Sequence, residues 1–254
     1  MIRDIHEEVL SWFPEIQENI QNLFEQGFNQ SEKKDFRDLV SDIDLVTEEL
    51  IIEKINALEG EQTILAEESH SDTLEVNADR LWCIDPIDGT ANMLKQRQDY
   101  AVMIAYFEKG EAKLAYIYDV EADDLFHAVS GEGAYLNGRP LDRVSLKLND
   151  SLISIDPQKY LNHPVLKALA RQSFQIRYLG SSSADSARVI EGKFGATFCP
   201  ACGPWDRAPL ILFAQELGLR LSRVDGSPTS LVGTEDYYFG SQAIFEEVQN
   251  RISK

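Results

Sequence analysis

Apolar residues recur every three or four positions near the start of the chain, at Ile5, Val9, Trp12, Phe13, Ile16, Ile20, Leu23 and Phe24. That spacing predicts an amphipathic helix over residues 2–28, bent near Pro14. Ile43, Val46, Leu50, Ile51, Ile55 and Leu58 predict a second helix over 42–58. Ser41 stands as its N-cap, with Asp44 three positions on in the manner of a capping box. The period then shortens. Thr63–Ala66 and Leu81–Ile84 read as short strands, and residues 100–107, 112–118 and 125–129 as an antiparallel meander, with a turn at Asn137-Gly138.

After about residue 148 strands and helices alternate: strand 152–155, helix 164–172, strand 175–179, a small-residue helix over 181–190, strand 195–199 and helix 206–217. The chain therefore reads as an α/β protein of layered α+β type, a single domain over 1–254. It has two lobes, helices plus antiparallel sheet over about 1–148 and α/β over about 149–254.

Composition narrows the function. Hydrophobic content of 43% and charged content of 26% over 254 residues suit a globular chain with a substantial core. No apolar run approaches the ~20 residues that span a bilayer, and acids follow the first Met at once, so a cytoplasmic protein is expected. A balance of 24 Lys+Arg against 43 Asp+Glu, net −19, makes nucleic acid and anionic membranes unlikely partners. The three cysteines leave no even disulfide framework. Cys199-Pro200-Ala201-Cys202 is a C-x-x-C without the further soft ligands of a zinc site, and reads as buried thiols or as a thiol switch.

The candidate chemistry lies in four acidic segments: Asp38–Asp44, Glu67-Glu68-Ser69, Asp85-Pro86-Ile87-Asp88-Gly89-Thr90 and Trp205-Asp206. Alone, each is an ordinary turn or cap sequence. In the third, two carboxylates three apart follow an apolar strand and precede a Gly-Thr step. That arrangement offers oxygens to a hard cation and backbone N–H groups to a phosphate.

Taken together the four segments resemble the signatures of the inositol monophosphatase family of magnesium-dependent, lithium-sensitive phosphatases, over nearly the whole chain. The resemblance implies a five-layer αβαβα sandwich of the sugar-phosphatase type. It also implies a homodimer acting on a small phosphorylated substrate with two or three Mg²⁺ ions, Mn²⁺ being possible. Glu67, Asp85 and the Ile87 carbonyl would hold one ion. Asp85, Asp88 and Asp206 would hold a second, and Glu67 a weaker third. Thr90, with Asp44, would orient the attacking water, so that Glu67, Thr90, Asp44 and Asp85 form the catalytic set. Substrate contacts would come from Asp88, Gly89, Thr90, Gly180, Ser181, Ser182, Cys199, Asp206 and Arg207.

Departures from the family bear on specificity. Inositol-recognising members carry a glutamate where this chain has Cys199, and a thiol is the poorer acceptor for a polyol hydroxyl. Arg207-Ala208-Pro209 replaces Ala-Ala-Gly. Arg207 reads either as a solvated helix residue or as a cation for a second phosphate, and Pro209 falls in the first helical turn. Ser41 keeps the hydroxyl of the usual Thr, and Leu94 replaces an aromatic as packing. The leading expectation is hydrolysis of inositol monophosphate or a small sugar-alcohol phosphate. Next stands a broader phosphatase acting on fructose 1,6-bisphosphate, 3′-phosphoadenosine 5′-phosphate or NADP. Last stands a regulatory interaction protein on the same fold.

Overall fold

The first helix, α1 (Ile2–Gln26), runs through Pro14 and buries Val9, Trp12, Phe13, Ile16 and Ile20, the stripe its spacing predicts. In the computed structural model, which describes residues 2–33, 39–69, 78–160 and 163–252, Asp38 of the first acidic segment lies outside the described residues. A small hairpin, β1 (Gln30–Glu32) and β2 (Leu39–Ser41), leads into α2 (Asp42–Asn56). The predicted cap is present: Ser41 N–H and Oγ donate to Asp44 Oδ2 at 2.8 and 2.6 Å, and Ile43 N–H donates to Ser41 Oγ at 3.2 Å.

There follow β3 (Thr63–Ala66), β4 (Arg80–Asp88), α3 (Thr90–Gln96), β5 (Ala101–Glu108), β6 (Glu111–Asp119), β7 (Asp124–Val129), β8 (Gly133–Leu136) and β9 (Arg139–Pro140). These strands form a seven-stranded sheet in sequence order, parallel between β3 and β4 and antiparallel thereafter. Asn137 and Gly138, with φ of 49° and 73°, make the two-residue turn between β8 and β9.

The second half contributes β10 (Leu152–Ile155), α4 (Pro157–Tyr160), α5 (Pro164–Gln172), β11 (Gln175–Arg177), α6 (Ser182–Ile190), β12 (Phe194–Cys202), α7 (Pro204–Leu217), β13 (Leu219–Arg223), β14 (Glu235–Ser241) and α8 (Gln242–Ile252). Its five strands lie in the order β11-β10-β12-β14-β13. β10 is parallel to both neighbours, and β14 is antiparallel to both of its own.

The layers follow from which faces are apolar. α1 and α2 cover one face of the seven-stranded sheet, α6 and α7 lie between the two sheets, and α5 and α8 cover the far face of the second. The order α–β–α–β–α is the five-layer sandwich expected. β5 shows why its sequence reads as a continuous apolar run. Ala101, Met103, Ala105 and Phe107 face the middle helices, while Val102, Ile104 and Tyr106 face α1 and α2.

One local expectation is corrected, and the serine-rich helix is found where it was read. α7 begins at Pro204, so Pro209 is its sixth residue rather than part of the first turn, and, lacking an N–H, it adds no backbone hydrogen bond to the helix. The 181–190 helix, although rich in serine, is buried along most of its length, including Ser183 and Ser186 at 0% exposure. Small side chains let it fit between two sheets.

Candidate active site

The site forms where β4 ends. Hydrogen bonding to β5 shifts register between Asp85 and Asp88, so the strand bulges at Pro86-Ile87 and both carboxylates turn toward α6 and α7. Asp85 Oδ1 accepts from Ile87 N–H at 3.0 Å. Gly89 then takes φ +91°, and a Cβ there would lie 2.8 Å from Ser181 Cβ and 3.1 Å from the Asp99 carbonyl. Only glycine fits this turn into α3. Asp88 Oδ2 accepts from Ser183 N–H, in the first turn of α6, at 2.5 Å. Asp206, in the first turn of α7, accepts from Gly203 N–H at 2.5 Å. Two helix starts and one strand end thus converge.

Carboxylate oxygens of Asp85, Asp88 and Asp206 all lie within 4.8 Å of one another, and the three residues are 1%, 9% and 8% exposed. Burial, then the charges of Glu67, Asp88 and Asp206, push the Asp85 carboxyl well above the ordinary range. Burial and the charges of Asp88 and Glu67 do the same to Asp206. Burial also raises Asp88, against hydrogen bonds from Ser183.

Glu67 lines the same cleft, its carboxyl raised by burial and hydrogen-bonded to Asp85. It stands outside the close triad, and Lys33 Nζ donates to its Oε1 at 3.0 Å and to Glu68 Oε1 at 2.5 Å. Burial works against the Lys33 ammonium, but the two glutamates outweigh it and raise its pKa. Burial pushes Glu68 up to about 7. Lys33 is a part of the site that sequence reading missed. It sits in a mixed-charge stretch whose spacing carries no signal.

Thr90 completes the arrangement. Its Oγ1 donates to Asp44 Oδ1 at 2.6 Å and approaches the Ile87 carbonyl at 3.1 Å. Asp44 is 1% exposed. Burial raises its pKa, and hydrogen bonds from Ser41 and Thr90 oppose that rise. The cleft encloses about 430 Å³ and is lined by Glu67, Asp85, Ile87, Asp88, Thr90 and Asp206 among others. A larger hollow of about 730 Å³ near His163 and Arg251 holds no such cluster, and the chemistry favours the smaller one.

Gly89 also lines this cleft, whereas Gly180, Ser181, Ser182, Cys199 and Arg207 do not. Ser181 Oγ caps α6, accepting from Ala184 N–H at 3.2 Å and donating to the Asp99 carbonyl at 2.9 Å. Ser182 Oγ pairs with Tyr237 Oη at 2.7 Å. Gly180, at φ +92°, packs against Asn92. Cys199 lies against Cys202.

Arg207 is corrected outright. It is 0% exposed, neither solvated nor open to a ligand. Its guanidinium donates to the carbonyls of Cys202, Ser230 and Gly233, the last two at 2.9 Å, with Glu235 Oε2 3.6 Å from Nε. It ties the segment before α7 to the loop before β14.

A sequence profile of the inositol monophosphatase family matches residues 7–252, and the chain belongs to that family. It is 29% identical to the inositol-1-monophosphatase of Bacillus subtilis strain 168, over 96% of this chain and 95% of that protein. A staphylococcal inositol monophosphatase-1, solved as a LiCl-soaked inhibitory complex, superposes with a TM-score of 0.92 at 32% identity, covering 98% of this chain and 94% of that one. An IMPase/NADP phosphatase solved with Mg²⁺ and phosphate superposes at 0.91 with 32% identity, covering 98% and 95%. The chain is thus a phosphomonoesterase of the inositol monophosphatase type, with a buried acidic triad for metal. No helix among the described residues is long and apolar enough to cross a membrane.

Proposed function

We propose that the chain hydrolyses inositol monophosphate or a related small polyol or sugar phosphate, using two or three Mg²⁺ ions held in the acidic cleft. The observation that carries this reading is the buried Asp85–Asp88–Asp206 triad beside the Thr90–Asp44 pair. The donor set fits a hard divalent ion. Its ligands are all oxygen, and their mutual repulsion at close range calls for added positive charge. Asp85, Glu67 and the Ile87 carbonyl would hold one ion, and Asp85, Asp88 and Asp206 a second. Glu67 would share in a third, in competition with Lys33. When bound, the ions supply Lewis acidity toward the phosphoryl oxygens and neutralise the carboxylates.

The chain's own residues do the rest. Because Thr90 gives its proton to Asp44, its oxygen is left free to accept one from an incoming water, and Asp44 takes the relayed proton. Ser41 and the α2 start hold Asp44 in place for this. Gly89 and Thr90 N–H groups would cradle the phosphate. A second reading, a wider range that includes NADP, is supported by the IMPase/NADP phosphatase that resembles this chain.

Phosphate release from inositol 1-phosphate, glycerol phosphate, fructose 1,6-bisphosphate, 3′-phosphoadenosine 5′-phosphate and NADP separates the two readings. The first predicts fastest turnover of the two polyol phosphates, with loss of activity in EDTA and inhibition by lithium. Turnover indifferent to EDTA refutes both. A homodimer also belongs to this proposal. Phe174, Ile176 and Tyr178 are 67%, 41% and 46% exposed around the edge strand β11, an apolar strip suited to a second copy. A single-chain mass in sedimentation at micromolar protein would count against it.

A further inference from the structure

Cys199 and Cys202 do not line the acidic cleft, yet the fold sets them in contact. Along β12, Cys199 pairs with Tyr237 and Cys202 with Glu235 of β14, so three steps of one strand span two of the other. A bulge at Pro200-Ala201 absorbs the extra residue. Ala201 takes φ +52°, a left-handed conformation unfavourable for an alanine, and Asp236 Oδ1 accepts its N–H at 2.8 Å. In a regular strand, residues three apart point to opposite faces. Here the bulge brings both thiols to one face, with Sγ atoms 2.7 Å apart. Cys199 is partly exposed, whereas Cys202 is 7% exposed. The third thiol, Cys83, is wholly enclosed in β4, where burial pushes it up to about 12.

We propose that Cys199 and Cys202 form a peroxide-sensitive dithiol that closes to an intrachain disulfide, and that closure changes the divalent-ion affinity of the neighbouring cleft. The partly exposed Cys199 sulfur attacks hydrogen peroxide and the O–O bond breaks, leaving Cys199 sulfenic acid and one water. The Cys202 sulfur then displaces the sulfenic oxygen, which leaves as a second water carrying the Cys202 proton. Two thiols lose two electrons and two protons, and one peroxide becomes two waters. With its partner already in contact, the sulfenic acid is captured before further oxidation. A small dithiol reverses the bond by exchange.

The link to the cleft runs through the residues that follow Cys202. The Cys202 carbonyl accepts from Arg207, Gly203 N–H donates to Asp206, and a Cβ on Gly203 would meet the Trp205 ring at 2.5 Å. The segment has no slack. A disulfide is about 2.05 Å long, so closure fixes the Cys202 sulfur, four residues before Asp206, onto Cys199. That constraint reaches Asp206, one of the three triad carboxylates. This coupling rests on the metal-site reading above, whereas formation of the bond does not.

The test treats the native protein with hydrogen peroxide, then measures intact mass and alkylatable thiols after denaturation. The expected result is a loss of 2 Da, one remaining thiol at Cys83 in place of three, and restoration by dithiothreitol. The Mg²⁺ concentration at half-maximal thermal stabilisation should differ at least threefold between reduced and oxidised protein. Cys202→Ala should instead gain oxygen at Cys199 and show no loss of 2 Da. If that variant does not fold, Cys199→Ser should show neither change. Three thiols left intact, cross-linked dimers or oxygen added to wild-type Cys199 overturns the pair. A disulfide with a Mg²⁺ midpoint shifted less than threefold overturns the coupling. Neither readout depends on turnover.

Discussion

Two parts of the same sheet are buried to the same degree and for opposite reasons. Under α1 and α2, Trp12, Trp82 and Tyr106 pack with tilted rings whose centroids lie 6.0 and 4.5 Å apart, and Trp12 and Trp82 are 2% and 0% exposed. There burial itself stabilises, by roughly 1.5–3 kcal/mol for each large apolar side chain. At the end of β4, Asp85 is as deeply enclosed, yet its neighbours are carboxylates and its charge is disfavoured. One region would fold the chain with or without a ligand. The other is held in an unfavourable state by the rest of the fold, and that stored repulsion is what attracts divalent ions.

The comparison breaks first at catalysis. Asp85→Asn should lower phosphate release on the order of 10³-fold at saturating Mg²⁺, about 4 kcal/mol of transition-state stabilisation. Activity within a few-fold of the parent would remove Asp85 from the metal set. Trp12→Ala should do the reverse. Urea unfolding should show a loss of about 3–5 kcal/mol, while turnover per folded molecule stays unchanged. A Trp12 variant that is fully stable but inactive would erase the distinction between the two regions.

A smaller effect concerns Asp185 on α6, whose carboxyl accepts from Leu179 N–H at 3.3 Å. Burial pushes it up to about 7. The folded chain therefore keeps a proton between about pH 4 and pH 7 that the unfolded chain has released. The stability this contributes is complete below pH 4 and is lost as pH rises through 7. Asp185→Asn keeps an acceptor and loses the charge, so the variant should gain on the parent in melting temperature between pH 5 and pH 8. A constant difference across that range would mean Asp185 is ionised in the fold throughout.

How much of this was legible in the sequence depends on whether a feature is local. The Ser41–Asp44 cap, the helix Pro164–Gln172 and the Asn137-Gly138 turn each rest on neighbours in the chain, and each is found as read. The acidic segments were visible as motifs. That Asp85, Asp88 and Asp206 close to within 4.8 Å is a property of the middle layer, where α6 and α7 meet β4. β13, β14, α8 and the seven-residue α3 were missed, the last because two turns of helix are too short to show a period. Arg207 was misjudged for a related reason. Only the fold brings three backbone carbonyls from residues 202, 230 and 233 around one guanidinium. Lys33 likewise meets Glu67 across 34 positions of chain.

Thermal melts of the parent and Asp85→Asn, each in EDTA and in excess Mg²⁺, test the central claim most directly. In EDTA the variant should melt above the parent, because one of the crowded charges is gone. Mg²⁺ at about 100 times its dissociation constant should raise the parent by about 2.7 kcal/mol, roughly 5–10 °C for a chain of this size, and the variant by far less. A variant that melts below the parent in EDTA, with both proteins gaining equally from Mg²⁺, would contradict the account.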